Sequence, residues 1–387
     1  MDIKQSLTAL NCCVIIPTYN NENTLEKIVS ETLRITDDAS DVIVVNDGST
    51  DTTFSILKSL EGSIELVSYD ENQGKGFALR KGFTRALELG YERAITLDSD
   101  GQHYPNDIHS IISISQKNPH AVVMGTRNMS QDSVPGKSNL GNKISNFWFR
   151  VETFISLDDT QTGFRLYPLK PISEITLFSK KFELEIELIV RLAWKGVPFE
   201  QAPVRVLYDE KERISHFRPF KDFLRISALN TILFTICLIY YYPMRLLSFE
   251  TLRVIRNEAI KPAESNLNKA LSIGFGCFMG VVPIWGLQLF VGIPLAVLFR
   301  LNKVLFIAAA NISIPPLIPF IIYMSLLFGK YASGGAFELP DIWDNSIESV
   351  ETNMAIYITG ALLFASSLAV FSFVVSLGLL RVFRTKK

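Results

Sequence analysis

Cysteine is scarce and no charge of one sign dominates, and each fact excludes a class of protein. The 387 residues include four cysteines, of which Cys12 and Cys13 are adjacent and Cys237 and Cys277 lie in apolar runs. That arrangement suits neither a disulfide framework nor a metal-binding knuckle. The formal net charge is -1, and there is no basic patch with interleaved aromatic residues, so the sequence gives no argument for nucleic-acid binding.

Two familiar kinds of motif are also missing. Residues 1–11 lack a basic start followed by an apolar core, so no cleaved signal peptide is expected and the front of the chain should lie in a reducing cytoplasm. The Gly74-Lys75-Gly76 segment lacks the full P-loop pattern, and no Gly-x-Gly-x-x-Gly follows the first predicted strand. Ordinary phosphate-loop and dinucleotide-binding sites are therefore weak interpretations.

Charged residues are unevenly distributed along the chain. About a quarter of residues 1–225 are charged, against about an eighth of residues 226–387. The length exceeds that of one ordinary domain. We therefore predict a cytoplasmic domain at 1–225, juxtamembrane helices and a linker at 226–266, and a helical membrane domain at 267–387.

Four apolar runs in the front part alternate with helical patterns, at residues 14–20, 41–45, 64–68 and 94–97. The runs are apolar throughout, which is typical of parallel strands that are buried on both faces. Alternation of strand and helix predicts an α/β domain with a mostly parallel sheet. In such sheets ligands bind at the carboxyl ends of the strands.

The fourth run ends in Asp98-Ser99-Asp100-Gly101-Gln102. Alternate residues of an extended chain point the same way, so both carboxylates can face one ion. Hard oxygen ligands with open positions beside them suit Mg²⁺ or Mn²⁺ bound together with substrate phosphates. The competing interpretation is a solvated turn with two ordinary acids.

Polar residues also end the neighbouring predicted strands. Pro17 and Tyr19 follow the first strand, Asp47 the second and Lys75 the third. Taken singly, each is explained as a cap or turn residue. Together with the paired aspartates, which end the fourth predicted strand, they predict one shared cleft at the strand ends.

Residues 14–22, 44–52, 72–82 and 97–105 resemble the successive motifs of inverting family 2 glycosyltransferases with the GT-A fold. The nearest branch is the dolichyl- or polyprenyl-phosphate sugar synthases, and the resemblance covers roughly residues 11–225. It implies a Rossmann-like, mostly parallel sheet and a metal on the donor diphosphate. The implied metal ligands are Asp98, Asp100 and Gln102, and the implied donor-binding residues are Pro17, Tyr19, Glu22 and Asp47, to which we add Lys75.

Two later segments belong to the same resemblance. Residues 121–127 read as a strand that delivers Arg127 to the cleft, and a matching arginine of the family lies near phosphate, where a fork of donors suits oxygen anions. Asp159-Thr160-Gln161-Thr162-Gly163-Phe164-Arg165 resembles the family motif Asp-x-x-(Ser/Thr)-Gly-Phe-Arg. It implies an acceptor-side role, with Arg165 as the anion contact. The predicted catalytic residues are Asp100, Arg127 and Asp159.

Three stretches around these motifs add further expectations. The loop at 213–220 combines cations and aromatics, as membrane-surface anchors do, and in related enzymes the corresponding loop closes over the diphosphate. Its Arg213, Ser215 and Arg218 are therefore predicted to bind the donor. Residues 138–150 form a helix-like stretch that we expect to meet the lipid, and residues 183–194 read as a helix. The chain lacks the Gln-x-x-Arg-Trp motif of processive synthases, which implies transfer of a single sugar.

The rest of the chain contains four apolar stretches, at 226–247, 271–299, 304–328 and 355–380. Each is long enough to be a candidate membrane helix. Two linkers between these stretches and the C-terminal tail are basic, whereas residues 337–351 carry five acids and no base. The positive-inside rule therefore puts the basic linkers and the tail in the cytoplasm and the acidic loop outside.

This orientation constrains the first two stretches. Residues 271–299 must enter and leave by the same face, so a break at 283–286 should make them a hairpin of two short helices. Residues 226–247 are expected to lie at the interface or to dip into it. Residues 267–330 also resemble a small bacterial membrane domain of unknown function, through the pattern Gly274-x-Gly276-x-Phe278-x-Gly280-x-x-Pro283.

The expected activity is metal-assisted, inverting transfer of one sugar from a UDP- or GDP-sugar to a polyprenyl phosphate, at the cytoplasmic face of a bacterial inner membrane. A phosphate acceptor is already anionic, so it requires no strong base. A hydroxyl-bearing glycolipid acceptor would require one, and Asp159 or Glu185 would be suspected. The other alternative is a membrane scaffold or lipid transporter that only binds the nucleotide-sugar. The sequence leaves homo-oligomer formation open.

Overall fold

The computed structural model describes residues 3–36, 38–127, 136–207, 219–246, 248–284, 286–334 and 347–384. The chain divides into two compact units, Met1–Thr235 and Ile236–Lys387. Each unit is described by itself below.

The first unit is built on a seven-stranded sheet. Its strands are β1 Cys12–Thr18, β2 Val42–Asp47, β3 Glu65–Tyr69, β4 Arg93–Thr96, β5 Val122–Arg127, β6 Arg165–Pro168 and β7 Phe199–Val204. Their order across the sheet is β3-β2-β1-β4-β6-β5-β7. β6 runs antiparallel to both neighbours and the other pairs are parallel, so the predicted mostly parallel sheet is confirmed.

Helices cover both faces of this sheet. They are α1 Ile3–Ala9, α2 Leu25–Leu33, α3 Thr53–Ser59, α4 Lys75–Glu88, α5 Ile108–Ser115, α6 Gly136–Thr153, α7 Leu169–Ser173, α8 Leu184–Trp194 and α9 Pro219–Ile236. Alternate strand residues enter two separate apolar cores. Ile15 and Val45 pack with α4 and α8, whereas Val14 and Val44 pack with α2 and α5 on the other face.

The strand order places a switch point at the centre of the sheet. From β1 the chain proceeds outward through β2 to β3, and then returns to β4 on the opposite side of β1. The connections after β1 and β4 therefore diverge and leave a crevice at the carboxyl ends of these two strands.

The second unit is helical. It contains a π-helical turn at Cys237–Tyr241 and the helices α10 Tyr242–Leu246, α11 Phe249–Ile260, α12 Asn266–Val281, α13 Gln288–Leu298, α14 Lys303–Ala310, α15 Ile318–Ala332 and α16 Ile347–Arg384. α12 packs against α14 and α16, and α15 packs against α16. Among the described residues, three helices are long and apolar enough to cross a membrane: Lys221–Arg245, Pro315–Ala332 and Asn353–Val382. These helices indicate a membrane-anchored protein.

Two of the predicted apolar stretches are interrupted. Residues 271–299 form α12 and α13 with a break at 282–287, as the hairpin prediction requires. Residues 304–328 form α14 and the first part of α15, and the latter lies within the candidate membrane span Pro315–Ala332. α14 ends at Ala310 and α15 begins at Ile318, because Pro315 and Pro316 lack the N–H groups that a continuous helix needs.

The glycine pattern of α12 is explained by close helix packing. A Cβ atom at Gly276 would lie 2.5 Å from the carbonyl oxygen of Phe306 on α14, and one at Gly280 would lie 2.7 Å from that of Ala310. A Cβ atom at Gly274 would lie 2.9 Å from the carbonyl oxygen of Ala369 on α16. Small residues at these three positions let the backbones of the helices approach.

Candidate active site

A cleft of about 430 Å³ opens at the carboxyl ends of β1, β2 and β4. It lies at the switch point, where open α/β sheets bind their ligands. The start of α4, the segment before α8 and the first turns of α9 complete its walls. The lining residues include Pro17, Thr18, Tyr19, Asn21, Asp47, Asn72, Lys75, Asp98, Ser99, Asp100, Lys181, Phe182, Asp222 and Arg225.

The paired aspartates stand on a turn that a buried serine holds in place. Ser99 Oγ donates a hydrogen bond to the carbonyl oxygen of Pro17 (3.0 Å) and accepts one from Asn21 Nδ2 (2.6 Å). Asp100 Oδ1 accepts the backbone N–H of Gln102 at 3.0 Å. The middle residue of Asp98-Ser99-Asp100 is thus bonded to the end of β1, and both aspartates line the cleft.

Lys75, the first residue of α4, pairs with two acids. Its Nζ lies 2.7 Å from Asp98 Oδ1 and 2.9 Å from Glu185 Oε2. Burial alone would raise the pKa of Asp98, but Lys75, together with His103 and Arg165, lowers it below its usual value. Burial alone would lower the pKa of Lys75, but Asp98 and Glu185 raise it above its usual value. Asp98 and Lys75 are therefore held in their charged forms.

The start of β6 is pressed against Asp98. A Cβ atom at Gly163 would overlap the carboxylate of Asp98, so only glycine fits. Thr96 Oγ1 donates to the carbonyl oxygen of Gly163 at 2.7 Å and fixes this approach from the β4 side. Segment 159–165, which resembles the family motif, therefore directly shapes the space around Asp98.

Asp47 is buried at the end of β2 and organises the loop that precedes α4. Its carboxylate accepts hydrogen bonds from Tyr69 Oη (2.8 Å), Asn72 Nδ2 (3.0 Å) and the backbone N–H groups of Gln73 and Gly74 (both 2.8 Å). Asp47 therefore lines the cleft and also fixes the entry to Lys75.

Pro17 and Tyr19 line the cleft as predicted, but Glu22 does not. Glu22 Oε2 accepts from the backbone N–H and the hydroxyl of Thr52, at 3.1 and 2.5 Å. Thr52 immediately precedes α3. In this structure Glu22 therefore binds the N-terminal end of α3.

Arg127 and Asp159 bind each other. Arg127 Nε and Nη2 donate to the two carboxylate oxygens of Asp159 at 2.6 and 3.0 Å. Asp159 is fully buried and also accepts from Asn142 Nδ2 at 2.6 Å and from the backbone N–H of Gln161 at 3.1 Å. Both carboxylate oxygens of Asp159 thus already accept hydrogen bonds, so this placement favours a positioning role toward Arg127, and the predicted catalytic role of Asp159 stays a prediction.

Arg165 is 1% exposed and does not line the cleft. Its guanidinium donates to the carbonyl oxygens of Thr160 and Glu185, both at 3.1 Å, and to Tyr167 Oη at 2.8 Å. The anion contact predicted for Arg165 is not supported by this placement. The side chain instead supports the loop that carries Gly163 and the backbone at Glu185.

Gln102 and His103 follow the paired aspartates. The carbonyl oxygen of Gln102 accepts the N–H of Leu207 at 2.9 Å, which joins this turn to the chain after β7. Burial lowers the pKa of His103 to about 4, against an opposing effect of Asp98. Its ring, 5.3 Å from that of Phe164, is therefore neutral near pH 7.

The donor set at Asp98, Asp100 and Gln102 fits a hard divalent ion in its chemistry. Two carboxylates and an amide oxygen suit Mg²⁺ or Mn²⁺. Within the described ranges no group of three or more His, Cys, Asp or Glu side chains could hold a metal ion. The set therefore suits an ion that completes its coordination with substrate phosphates, and it does not form a closed protein cage.

Several residues of the cleft were not predicted. Ser99 carries no motif signal beyond its place between two aspartates, and Glu185, which pairs with the cleft residue Lys75, lies in a sequence pattern typical of an ordinary helix glutamate. Arg225, on α9, lines the cleft and donates to Asp222 Oδ1 at 3.2 Å. It lies just beyond the expected donor-binding loop. The predicted donor contacts Arg213, Ser215 and Arg218 lie outside the described residues.

An open, mostly parallel sheet with an Asp-x-Asp turn at its switch point defines the GT-A class of nucleotide-sugar-dependent transferases. Residues 13–176 match the family model "Glycosyl transferase family 2", and the first unit therefore carries a family 2 glycosyltransferase domain. Residues 252–387 match "Uncharacterized protein conserved in bacteria (DUF2062)".

Named relatives match about half of the chain. A UDP-N-acetylglucosamine–dolichyl-phosphate N-acetylglucosaminyltransferase of Methanococcus voltae is 28% identical over 219 residues, which cover 51% of this chain and 86% of that protein. A polyprenol monophosphomannose synthase of Mycolicibacterium smegmatis is 26% identical over 51% of this chain and 77% of its own length. A crystal structure of glucosyl-3-phosphoglycerate synthase from Mycobacterium tuberculosis is similar with a TM-score of 0.46 at 18% identity, over 61% of this chain and 81% of that one.

Proposed function

We propose that this protein transfers a single sugar, with inversion, from a nucleotide-diphosphate sugar to a polyprenyl phosphate at the cytoplasmic face of a bacterial inner membrane. The observation that carries the proposal is the cleft in which Asp98, Asp100 and Lys75 meet at the switch point of a family 2 domain. The named relatives that act on dolichyl phosphate or polyprenol support the choice of acceptor.

The donor is proposed to bind in this cleft on the basis of the residues that line it. Pro17, Tyr19 and Asp47 line the side nearest β1 and β2 and would receive the nucleoside. Lys75 and Arg225 supply cations on the opposite walls, where the diphosphate would lie, and such fixed charges stabilise a departing anion. The flanks of the 208–218 segment also reach this region, since Leu207 bonds to Gln102 and Asp222 lines the cleft.

Asp98, Asp100 and Gln102 would hold Mg²⁺ or Mn²⁺, which would act as a Lewis acid on the donor diphosphate. The protein residues around this set keep it in its binding form. Lys75 holds Asp98 ionised, and Ser99 fixes the turn between the two acids. Gly163 leaves the space that the carboxylate of Asp98 needs.

The acceptor is proposed to be a phosphate because, in the part of the chain that the structure describes, both acids suspected as a base are paired with cations. Asp159 is bound to Arg127, and Glu185 is paired with Lys75 at 2.9 Å. A phosphate oxygen is anionic near neutral pH and can attack without prior deprotonation. A glycolipid hydroxyl would need a base, and both acids suspected for that role already face cations.

Transfer from a panel of radiolabelled UDP- and GDP-sugars to polyprenyl phosphate tests the proposal, with the purified full chain in lipid vesicles. We expect an acid-labile lipid product that requires Mg²⁺ or Mn²⁺ and that Asp100→Ala reduces by at least about 100-fold, as loss of a group near the departing charge does. Asp70→Ala, an exposed acid after β3, is the matched control and should leave transfer unchanged.

Two outcomes would contradict the proposal. Transfer only to a hydroxyl-bearing lipid would identify a glycolipid synthase. Nucleotide-sugar binding without turnover on any donor would favour the binding scaffold.

A further inference from the structure

We propose that the outer faces of α6 and α9 form a membrane-docking surface, which rests on the headgroups of the bilayer and presents the cleft to lipid. The inference deepens the proposed function and rests on it for the identity of the lipid that is reached. Its geometric argument depends only on the first unit.

α6 exposes a stripe of large apolar side chains. Leu140 is 61%, Ile144 43% and Phe147 58% exposed. The spacing i, i+4, i+7 puts all three on one face of the helix, and Val151 continues the same line. A contiguous exposed apolar patch on a folded unit marks a contact surface and is uncommon on a face that only meets water.

Basic residues flank the stripe. Lys143 and Arg150 are exposed on α6 and both lie to the same side of the apolar line. Apolar residues bordered by lysine and arginine are the pattern of helices that lie in the bilayer interface, where the cations meet anionic headgroups. The occupant that fits this chemistry is a lipid surface.

α9 continues the surface. The rings of Trp148 on α6 and Phe234 on α9 meet edge to face, with centroids 5.8 Å apart. α9 exposes Phe223, Leu224 and Ile232 along its outer side. The two helices thus form adjoining parts of one apolar surface on the first unit.

The packing of α9 decides how this helix meets the membrane. Residues Lys221–Arg245 satisfy the length and hydropathy of a span. However, Leu229 and Leu233 belong to the core of the first unit, in the same cluster as Phe149 of α6. Because these two side chains are buried in the core of the first unit, we infer that this part of α9 lies along that unit at the interface and does not cross the bilayer.

α9 also connects the docking surface to the cleft. Asp222 and Arg225 line the cleft, while the neighbouring Phe223 and Leu224 are exposed. When α9 lies on the bilayer, the cleft opens at the level of the headgroups. The phosphate of a membrane-embedded polyprenyl chain would reach it there without leaving the lipid.

Depth-dependent quenching of a probe on the stripe tests this inference. Full-length Phe147→Cys would be labelled with a polarity-sensitive fluorophore, since the native cysteines are all buried. It would then be reconstituted into phosphatidylcholine vesicles with and without phosphatidylglycerol. Phe54→Cys, on α3 and also exposed, is the matched control. We expect nitroxide lipids to quench the probe at residue 147 and aqueous iodide to quench only the probe at residue 54.

A charge-reversed variant adds a second measurement. Lys143→Glu combined with Arg150→Glu should weaken lipid quenching at residue 147 in vesicles with phosphatidylglycerol and leave it unchanged in those without. Equal iodide quenching at residues 147 and 54 would overturn the inference. Shielding at 147 that disappears at low protein density would also overturn it, because a second copy of the chain would then cover the stripe.

The readout does not require turnover. Lipid quenching in a protein that transfers no sugar would leave the docking surface standing and remove only the proposed function. Sugar transfer by a protein whose stripe is accessible to iodide would remove the docking surface and leave the proposed function standing.

Discussion

At the residue scale, one lysine determines the charge state of the cleft. Lys75 faces Asp98 and Glu185 at less than 3 Å, and all three side chains are largely withdrawn from solvent. Removing one charged side chain of such a group leaves the remaining charges buried without an opposite charge. The free-energy cost of that change exceeds the net stabilisation from the ion pair itself. The consequences should therefore exceed those of an ordinary surface substitution.

Lys75→Met should reduce sugar transfer by at least about 100-fold, equivalent to roughly 2.7 kcal/mol. It removes the cation that holds Asp98 ionised and places two carboxylates against each other. Steady-state kinetics would measure the effect, with Lys81→Met, an exposed lysine on the same helix, as the control. Near-normal activity in Lys75→Met would refute the role assigned to the pair. Adding Glu185→Gln should restore part of the lost thermal stability, since it relieves the repulsion.

A second residue should make stability depend on pH. Burial raises the pKa of Glu152 on α6 from 4.5 to about 8. The folded state therefore binds a proton that the unfolded state releases above pH 4.5, so folding stability falls as the pH rises from 4.5 to 8 and levels off above that. Each pH unit in this window contributes about 1.4 kcal/mol, so the whole effect is on the order of 5 kcal/mol.

Glu152→Gln should remove this dependence. Thermal unfolding of the full chain in detergent, followed by tryptophan fluorescence at pH 5 and pH 9, should show that the variant gains stability over the parent mainly at pH 9. Glu61→Gln, on an exposed loop, should shift both values little. A Glu152→Gln advantage that is equal at both pH values would contradict the assignment.

At the scale of elements, sequence patterns identified the strands that are buried on both faces, but they did not predict β6, which runs antiparallel to its neighbours. The apolar runs predicted at 14–20, 41–45 and 94–97 correspond to β1, β2 and β4, which pair in parallel. β6 contains Arg165, a residue type that a sequence pattern assigns to an exposed site, yet its charge is satisfied by carbonyl groups that only the folded chain assembles. The pairing of Glu185 with Lys75 was not predicted for the same reason, because the two residues lie far apart in sequence.

The approach of β6 to Asp98 gives a prediction for Gly163. Gly163→Ala should abolish at least about 99% of activity, since the added methyl group would displace the carboxylate of Asp98 and a small displacement of a catalytic group has a large effect on rate. Far-ultraviolet circular dichroism should stay near the parent spectrum, because position 163 precedes the strand.

Gly141→Ala is the comparison for that substitution. A Cβ atom there would meet only the amide of Gln161, at 3.7 Å, so transfer should persist and α6 should gain slight stability from the better helix former. If both variants kept full activity, the contact between Gly163 and Asp98 would not constrain the site.

At the scale of the whole molecule, composition separated a charged front from an apolar back, but it did not determine which apolar stretches are continuous. Residues 226–247 and 304–328 have similar composition. In the first, Leu229 and Leu233 pack into the core of the catalytic unit, and the second is broken at 311–317. Local hydropathy counts apolar residues, whereas the break follows from two prolines and the packing from contacts distant in sequence.

If α9 is interfacial, as proposed, and α12 and α13 form the predicted hairpin, α15 would cross the bilayer outward and α16 would return. An impermeant maleimide applied from outside the cell should therefore label Ser333→Cys, at the exposed end of α15. Arg256→Cys, exposed on α11, should react only after the membrane is opened, because positive-inside reasoning keeps this basic segment in the cytoplasm. Labelling of both sites from the same side would mean that α15 does not cross. In that case α16 alone would span, and the tail would lie on the face opposite the catalytic unit.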